Sequence, residues 1–249
     1  MTQKRQIQRA ITGICLALGL VSGAVTAADR KRSPPEPPAS ERARLEDILQ
    51  KFDAAQGQIR TMTANFTETK ALALLKAPVV SKGKFFYTHP SDVLWEYLDP
   101  TPRVFLINRE QLLAYYPAEK RAEQLDISHY QNKLLRVLGI GQVSRDLKKY
   151  YDISLAPDEG EATKCHLLLS PRRHMIKTRI EAIHLWVDTK SYLPVRMQYR
   201  EPDGDSTTIT FDDVLQNQRI DEATYKIDLP PGVTVEHSFT GLSGSKGAS

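Results

Sequence analysis

The sequence predicts a mainly β fold with helices, of the α+β class, built on one antiparallel sheet curved around an apolar face. Three observations carry this. Short segments rich in aromatic and β-branched residues follow one another closely, separated by polar turns, which is the pattern of an antiparallel meander. The stretch Gly83–Pro100 (GKFFYTHPSDVLWEYLDP) reads as two strands whose aromatic residues fall on one side. Two helical segments interrupt the strands instead of alternating with them, as a cover over one face or mouth of the sheet would.

The chain opens as a secretion signal: Lys4, Arg5 and Arg9 precede an apolar run from Ile11 to Val21, with small residues at Val25-Thr26-Ala27 and Thr26-Ala27-Ala28 for cleavage. An uncleaved anchor is the other reading, because the uncharged run from Ala10 to Ala28 is near the lower limit for a membrane span. Cys15 follows Ile14 inside the apolar run and does not make a lipidation motif. The formal charge of +4 owes +3 to the signal, so the exported portion is close to neutral and offers no global field for nucleic acid. Cys165 then stands alone, as a small buried hydrophobe on a strand or as a site of intermolecular pairing. We divide the chain into a signal (1–27), a Pro-rich linker (28–40), one domain (41–236) and a Gly/Ser-rich tail (237–249).

Within the domain, Leu45, Ile48, Leu49 and Phe52 recur at helical spacing, giving an amphipathic helix over Glu41–Gln56 with Ser40 as N-cap and Gly57 as its stop. Thr61–Thr69 alternates, with Met62, Ala64 and Phe66 on one side. Leu72–Ala77 is an apolar, partly exposed loop. Strands follow at Val79–Thr88, Val93–Leu98, Val104–Ile107 and Gln111–Tyr116. Ser128–Leu138 then reads as a helix with Tyr130, Leu134, Leu135 and Leu138 on one stripe, and Arg145–Tyr150 as a short second one. Strands resume at Tyr151–Leu155, Lys164–Ser170, Ala182–Val187, Pro194–Tyr199 and Thr207–Asp212, followed by a closing segment near Thr224–Val235. The turn at Pro171–Arg179 holds Arg172, Arg173, His174, Lys177 and Arg179. It is either a solvated hairpin tip or a basic contact for phospholipid headgroups or an acidic partner.

In Gly83–Pro100, Phe85, Tyr87 and His89 share one face, as do Val93, Trp95 and Tyr97, opposite the face with Lys84 and Glu96. The apolar face therefore carries aromatics and one polar residue, His89. Two readings stand: half of an ordinary β core, or the wall of an open cavity. Motifs of catalysis are missing from the sequence. The six histidines form no HExxH or other ligand spacing, there is no GxSxG or CxxC, Gly139-Ile140-Gly141 ends a helix, and Asp212-Asp213 ends a strand. No enzyme activity and no cofactor are expected.

Taken in order, the helix, Asn65-Phe66-Thr67-Glu68, Gly83-Lys84-Phe85-Phe86-Tyr87, His89-Pro90, Leu94-Trp95-Glu96-Tyr97, Pro100, Tyr115-Tyr116-Pro117 and Pro230-Pro231-Gly232-Val233 resemble the LolA family of periplasmic lipoprotein carriers, from about Leu45 to Val235. The resemblance implies a half-open antiparallel β-barrel with a helical lid over an apolar cavity that takes lipoprotein acyl chains. It further implies a periplasmic monomer that receives cargo from an inner-membrane ABC transporter and delivers it to an outer-membrane receptor. The alternative on the same fold is a periplasmic lipid-sensing regulator that binds a membrane protein. We assign Phe66, Phe85, Tyr87, Val93, Trp95, Tyr97 and Leu106 to the cavity wall, and Leu134, Leu135 and Leu138 to the inner stripe of the lid. His89 stands where the family usually has a lid-holding Arg, and is either a polar latch or a turn residue at the rim. That departure, the Pro-rich linker and the basic turn leave room for a divergent member that carries another lipid.

Overall fold

Period-two alternation marks several of the segments, and in the computed structural model twelve strands form a single sheet. The structure describes residues 38–127, 144–157 and 160–237. The strands are β1 (Thr61–Ala71), β2 (Val79–Thr88), β3 (Asp92–Asp99), β4 (Arg103–Ile107), β5 (Gln111–Tyr116), β6 (Arg121–Asp126), β7 (Tyr151–Leu155), β8 (Lys164–Pro171), β9 (Ala182–Asp188), β10 (Pro194–Arg200), β11 (Ser206–Gln216) and β12 (Thr234–Glu236). Their spatial order is β12-β6-β5-β4-β3-β2-β1-β11-β10-β9-β8-β7. Two meanders are thus joined where β1 pairs with β11, Phe66 opposite Phe211. The pairings are antiparallel except β12 on β6, which is parallel. Among the described residues β7 and β12 end the sheet and do not pair, so it is curved but unclosed.

The expected strands are present with ends shifted by a few residues, and β6 is an addition. Its residues, RAEQLD, lack the aromatic and β-branched enrichment that marks the others, and it is held by pairing with β5. The long helix α1 spans Ala39–Gln58 and buries Ile48, Leu49 and Phe52. It begins after Pro38 with no side-chain cap, so Ser40 lies inside the helix, which reaches back into the segment read as linker. It also runs through Gly57 and stops when Ile59 turns extended. The expected helix at 145–150 is one turn, α2 (Ser144–Leu147), anchored to α1 where Asp53 accepts hydrogen bonds from the Ser144 N–H and Oγ. The basic turn contains one helical turn, α3 (His174–Lys177). The helix expected over Ser128–Leu138, the signal, most of the linker and nearly all of the tail lie outside the described residues.

The sheet buries both faces, unequally. On the inner face, an aromatic cluster spans β1–β5 and reaches β11, while a second cluster joins α1 to β8 and β9 through Leu49, Phe52, Leu167 and Val187. Met197 packs against both clusters, so they are continuous. Cys165 belongs to the second, a buried small side chain on β8. On the outer face of β3–β6, Leu94, Leu106, Leu113 and Ala122 are covered by Tyr225 and by Ile220, Ile227, Leu229, Val233 and Val235 of the closing segment. A 3-10 turn at Glu222–Tyr225 places Tyr225, with Asp221 accepting from the Ala223 N–H at 2.9 Å.

Candidate functional site

The aromatic half of the inner face is assembled by register. Phe66 on β1 sits opposite Gly83 on β2, and the missing side chain there lets its ring cross β2 to reach β3. Its centroid lies 4.9 Å from Trp95 and 4.9 Å from Tyr97, both edge-on. Ala64 does the same one pair along: opposite Phe85, it is small enough for Phe85 and Phe211 to meet over β1 at 5.7 Å. Trp95 closes the group, 4.7 Å from Phe85 and 5.7 Å from Phe211. Edge-on and tilted aromatic pairs of this kind contribute roughly 0.5–1.5 kcal/mol each beyond their area.

Of the residues assigned to the wall, Phe66, Phe85, Tyr87, Val93, Trp95 and Tyr97 are buried together in this cluster. Leu106 is not with them. Its cross-strand neighbours are Leu94 and Leu113, and it packs on the outer face under Tyr225. Trp95 pairs instead with Phe105, which meets Tyr97 at 5.8 Å and Tyr116 at 6.1 Å. The assignment slipped by one residue, and a one-residue slip exchanges the faces of a strand. In VFLI both faces are apolar, because β4 is covered on both sides, so alternation alone could not choose. Leu134, Leu135 and Leu138 lie outside the described residues.

His89 lies exposed at the rim beyond β2. Its N–H donates to the Arg60 carbonyl at 2.7 Å, and its Nδ1 is 3.4 Å from the Tyr87 hydroxyl. Burial pushes the Tyr87 phenol up, against a smaller opposing effect of Arg60. The α1 helix reaches this half of the face through Ala55 and the following Ile59, while its buried stripe lies over the β8–β9 half.

The apolar face is not polar at His89 alone. At the other end Glu68 is 2% exposed, and Lys70 and Arg103 stand beside it. The Tyr97 hydroxyl donates to Glu68 Oε2 at 3.0 Å, Lys70 Nζ is 3.3 Å and Arg103 Nη2 3.6 Å from Glu68 Oε1, and the Arg103 guanidinium lies 3.8 Å from the Tyr97 ring centroid. Burial lowers the Lys70 ammonium, with Glu68 pulling the other way, and burial, then Glu68, raises the Tyr97 phenol well above its ordinary value. This cluster was missed, and the signal for it was present. The alternation read as Met62, Ala64, Phe66 continues through Glu68 and Lys70.

The inner face is thus a buried, mutually packed aromatic and aliphatic cluster with a paired polar cluster at one end and a histidine at the other. Among the described residues no three His, Cys, Asp or Glu side chains gather as a metal site.

The sequence matches the model of the family described as outer membrane lipoprotein carrier protein LolA over residues 57–228. An outer-membrane lipoprotein carrier protein of Hahella chejuensis is 24% identical over 189 residues, covering 74% of this chain and 86% of that protein. Among solved structures, a conserved uncharacterized protein of Thermus thermophilus matches with a TM-score of 0.51 at 11% identity, over 78% of this chain and 99% of its own. MucB, in the MucA/MucB complex of Pseudomonas aeruginosa, matches with a TM-score of 0.41 at 13% identity, over 73% of this chain and 60% of its own.

Proposed function

The chain belongs to the LolA family of outer membrane lipoprotein carrier proteins, and from that premise we propose that it is a non-enzymatic periplasmic carrier. In this reading it shields the acyl chains of lipoproteins, or of a related lipid, and moves them from the inner to the outer membrane. The observation that carries the reading is the aromatic half of the inner face, where Phe66, Phe85, Trp95 and Phe211 pack edge-on or tilted against one another on a single unclosed sheet. Each CH₂ buried contributes about 0.8 kcal/mol, so a multi-chain anchor cannot cross an aqueous compartment unshielded, and a face of rings that separate can take it up without covalent chemistry. Leu134, Leu135 and Leu138 form the inner stripe of the cover in this proposal, and His89 is its latch. An inner-membrane ABC transporter is the donor, an outer-membrane receptor the acceptor, and the carrier is a monomer.

The test is native mass spectrometry of the protein recovered from the periplasm, followed by solvent extraction, and a transfer assay between donor and acceptor membranes. Stoichiometric lipoprotein or lipid that leaves the protein at the acceptor is expected. A protein that is recovered empty and does not bind a triacylated lipopeptide in solution overturns the reading.

A further inference from the structure

One rim of the sheet is formed by the ends of β1, β8 and β10 and the starts of β2, β9 and β11. Its three connections are tied side by side. The Ala73 N–H donates to Asp205 Oδ1 at 2.8 Å, which seats the β1–β2 loop on the β10–β11 turn. The Glu181 N–H donates to the Arg200 carbonyl at 2.8 Å, which seats the segment before β9 on the end of β10. The Arg172 N–H donates to the Tyr150 carbonyl at 2.8 Å, joining that segment to the chain entering β7.

This rim gathers the apolar exposure of the molecule. Among the described residues the exposed large hydrophobic side chains are Leu74, Leu75, Val79, Val80, Leu98, Met175 and Leu215; Leu74, Leu75, Val79, Val80 and Met175 lie here, and Leu98 is near the end of the adjoining β3. Leu74 is 87% exposed at the tip of the β1–β2 loop, and Met175 is 44% exposed on α3. Beside them Pro171–Ile180 carries Arg172, Arg173, Lys177 and Arg179, all exposed, with no acidic residue in the segment. Arg172 pairs with Asp152 at 2.8 Å, Arg173 lies over the Tyr150 ring, Glu181 is 3.9 Å from Arg200, and the β10–β11 turn on the same rim brings Glu201, Asp203 and Asp205, so the rim is basic only along Pro171–Ile180.

We propose that this rim is a docking surface for an anionic phospholipid bilayer. Leu74 and Leu75 enter the headgroup–acyl boundary while Arg173, Lys177 and Arg179 meet headgroup phosphates. Leu74, Leu75 and Met175 sit on two separate connections, the first two beside Lys76 and the third among Arg172, Arg173, Lys177 and Arg179, an arrangement suited to a membrane interface. A protein interface gathers aromatic residues into a packed central patch, and here the aromatics face inward. The surface is distinct from the inner face, so its failure leaves the carrier reading untouched, and a carrier docked this way would meet its membranes directly.

The test uses the protein recovered from the soluble extract of expressing cells, mixed with vesicles of phosphatidylglycerol or of phosphatidylcholine. The protein is expected to co-sediment with phosphatidylglycerol vesicles and to be released by salt. Leu74→Trp should give emission that shifts to the blue and is quenched by brominated phosphatidylglycerol. Lys177→Glu with Arg179→Glu should weaken binding at least about twenty-five-fold, from about five-fold for each basic residue lost at an anionic surface. All these positions are exposed, and an unchanged urea midpoint confirms the fold. An unquenched Leu74→Trp overturns the proposal, as does equal binding to phosphatidylcholine, wild-type binding by the double reversal, or capture of an acidic protein without vesicle binding.

Discussion

Phe66 lies over Gly83, and a Cβ at Gly83 would stand 2.6 Å from Phe66 Cζ and 2.1 Å from the Glu96 carbonyl oxygen. No real Cβ tolerates either contact, so the glycine is required by close approach. The consequence is that one ring on β1 touches two on β3 across the strand between them. Gly83→Ala should therefore destabilise the protein by about 1–3 kcal/mol or more through overpacking. It should also change the emission of Trp95, because Phe66 must withdraw. Urea unfolding monitored by tryptophan fluorescence measures both, and a wild-type midpoint would place Phe66 elsewhere.

Glu68 is a buried carboxylate held by Tyr97, Lys70 and Arg103. Removing it leaves two cations beside one another, Lys70 buried and Arg103 half-buried. Glu68→Leu alone is expected to cost about 3–5 kcal/mol, whereas Glu68→Leu with Lys70→Met and Arg103→Met should recover most of that, because apolar replacements need no partners. Unfolding midpoints of the single and triple variants decide it. A single variant as stable as the parent would mean that the cluster is hydrated and not a closed boundary of the apolar face.

Much of the fold was legible because its strands announce themselves through aromatic and β-branched alternation, as in Phe85, Tyr87, Val93, Trp95 and Tyr97. The site was half legible for the same reason. β6 was hidden because RAEQLD owes its conformation to its neighbour, and propensity says nothing of pairing. Leu106 was misplaced because a strand covered on both faces has no polar residue to mark its register. Glu68 and Lys70 were overlooked because charge on a strand ordinarily means solvent, and their partner Arg103 lies more than thirty positions away in sequence on another strand.

Two phenols set an alkaline limit. Burial raises Tyr97 well above its ordinary value, and burial, chiefly, pushes Tyr225 up to about 12. A raised phenol holds its proton more tightly folded than unfolded. The stability this contributes is whole below about pH 10, where unfolded tyrosine begins to ionise, and is lost as pH rises through the native values. The urea midpoint should thus fall from about pH 10 upward, through about 12 for Tyr225, with the raised Tyr97 adding to the fall. Tyr97→Phe should make the fall shallower. Phenolate absorbance followed with pH checks that these phenols titrate late, and titration of every tyrosine near pH 10 would contradict it.

Phe105 and Leu106 are adjacent in sequence and face opposite sides of the sheet. Phe105 joins Tyr97 and Tyr116 on the inner face, and Leu106 packs with Leu94 and Leu113 beneath Tyr225. If the inner face takes acyl chains, the two should separate function from stability. Leu106→Ala should cost about 2–5 kcal/mol, as an emptied core position does, and loosen the closing segment, yet at a temperature where it is folded its affinity for an acylated probe should match the parent. Phe105→Leu removes less volume and should cost little stability, but it alters the surface offered to the chain and should weaken the probe several-fold. Fluorescence titration with a triacylated lipopeptide, beside urea unfolding of each variant, gives the comparison. Loss of binding in Leu106→Ala alone would put the acyl chains under the closing segment, and the carrier reading would have to move to the outer face.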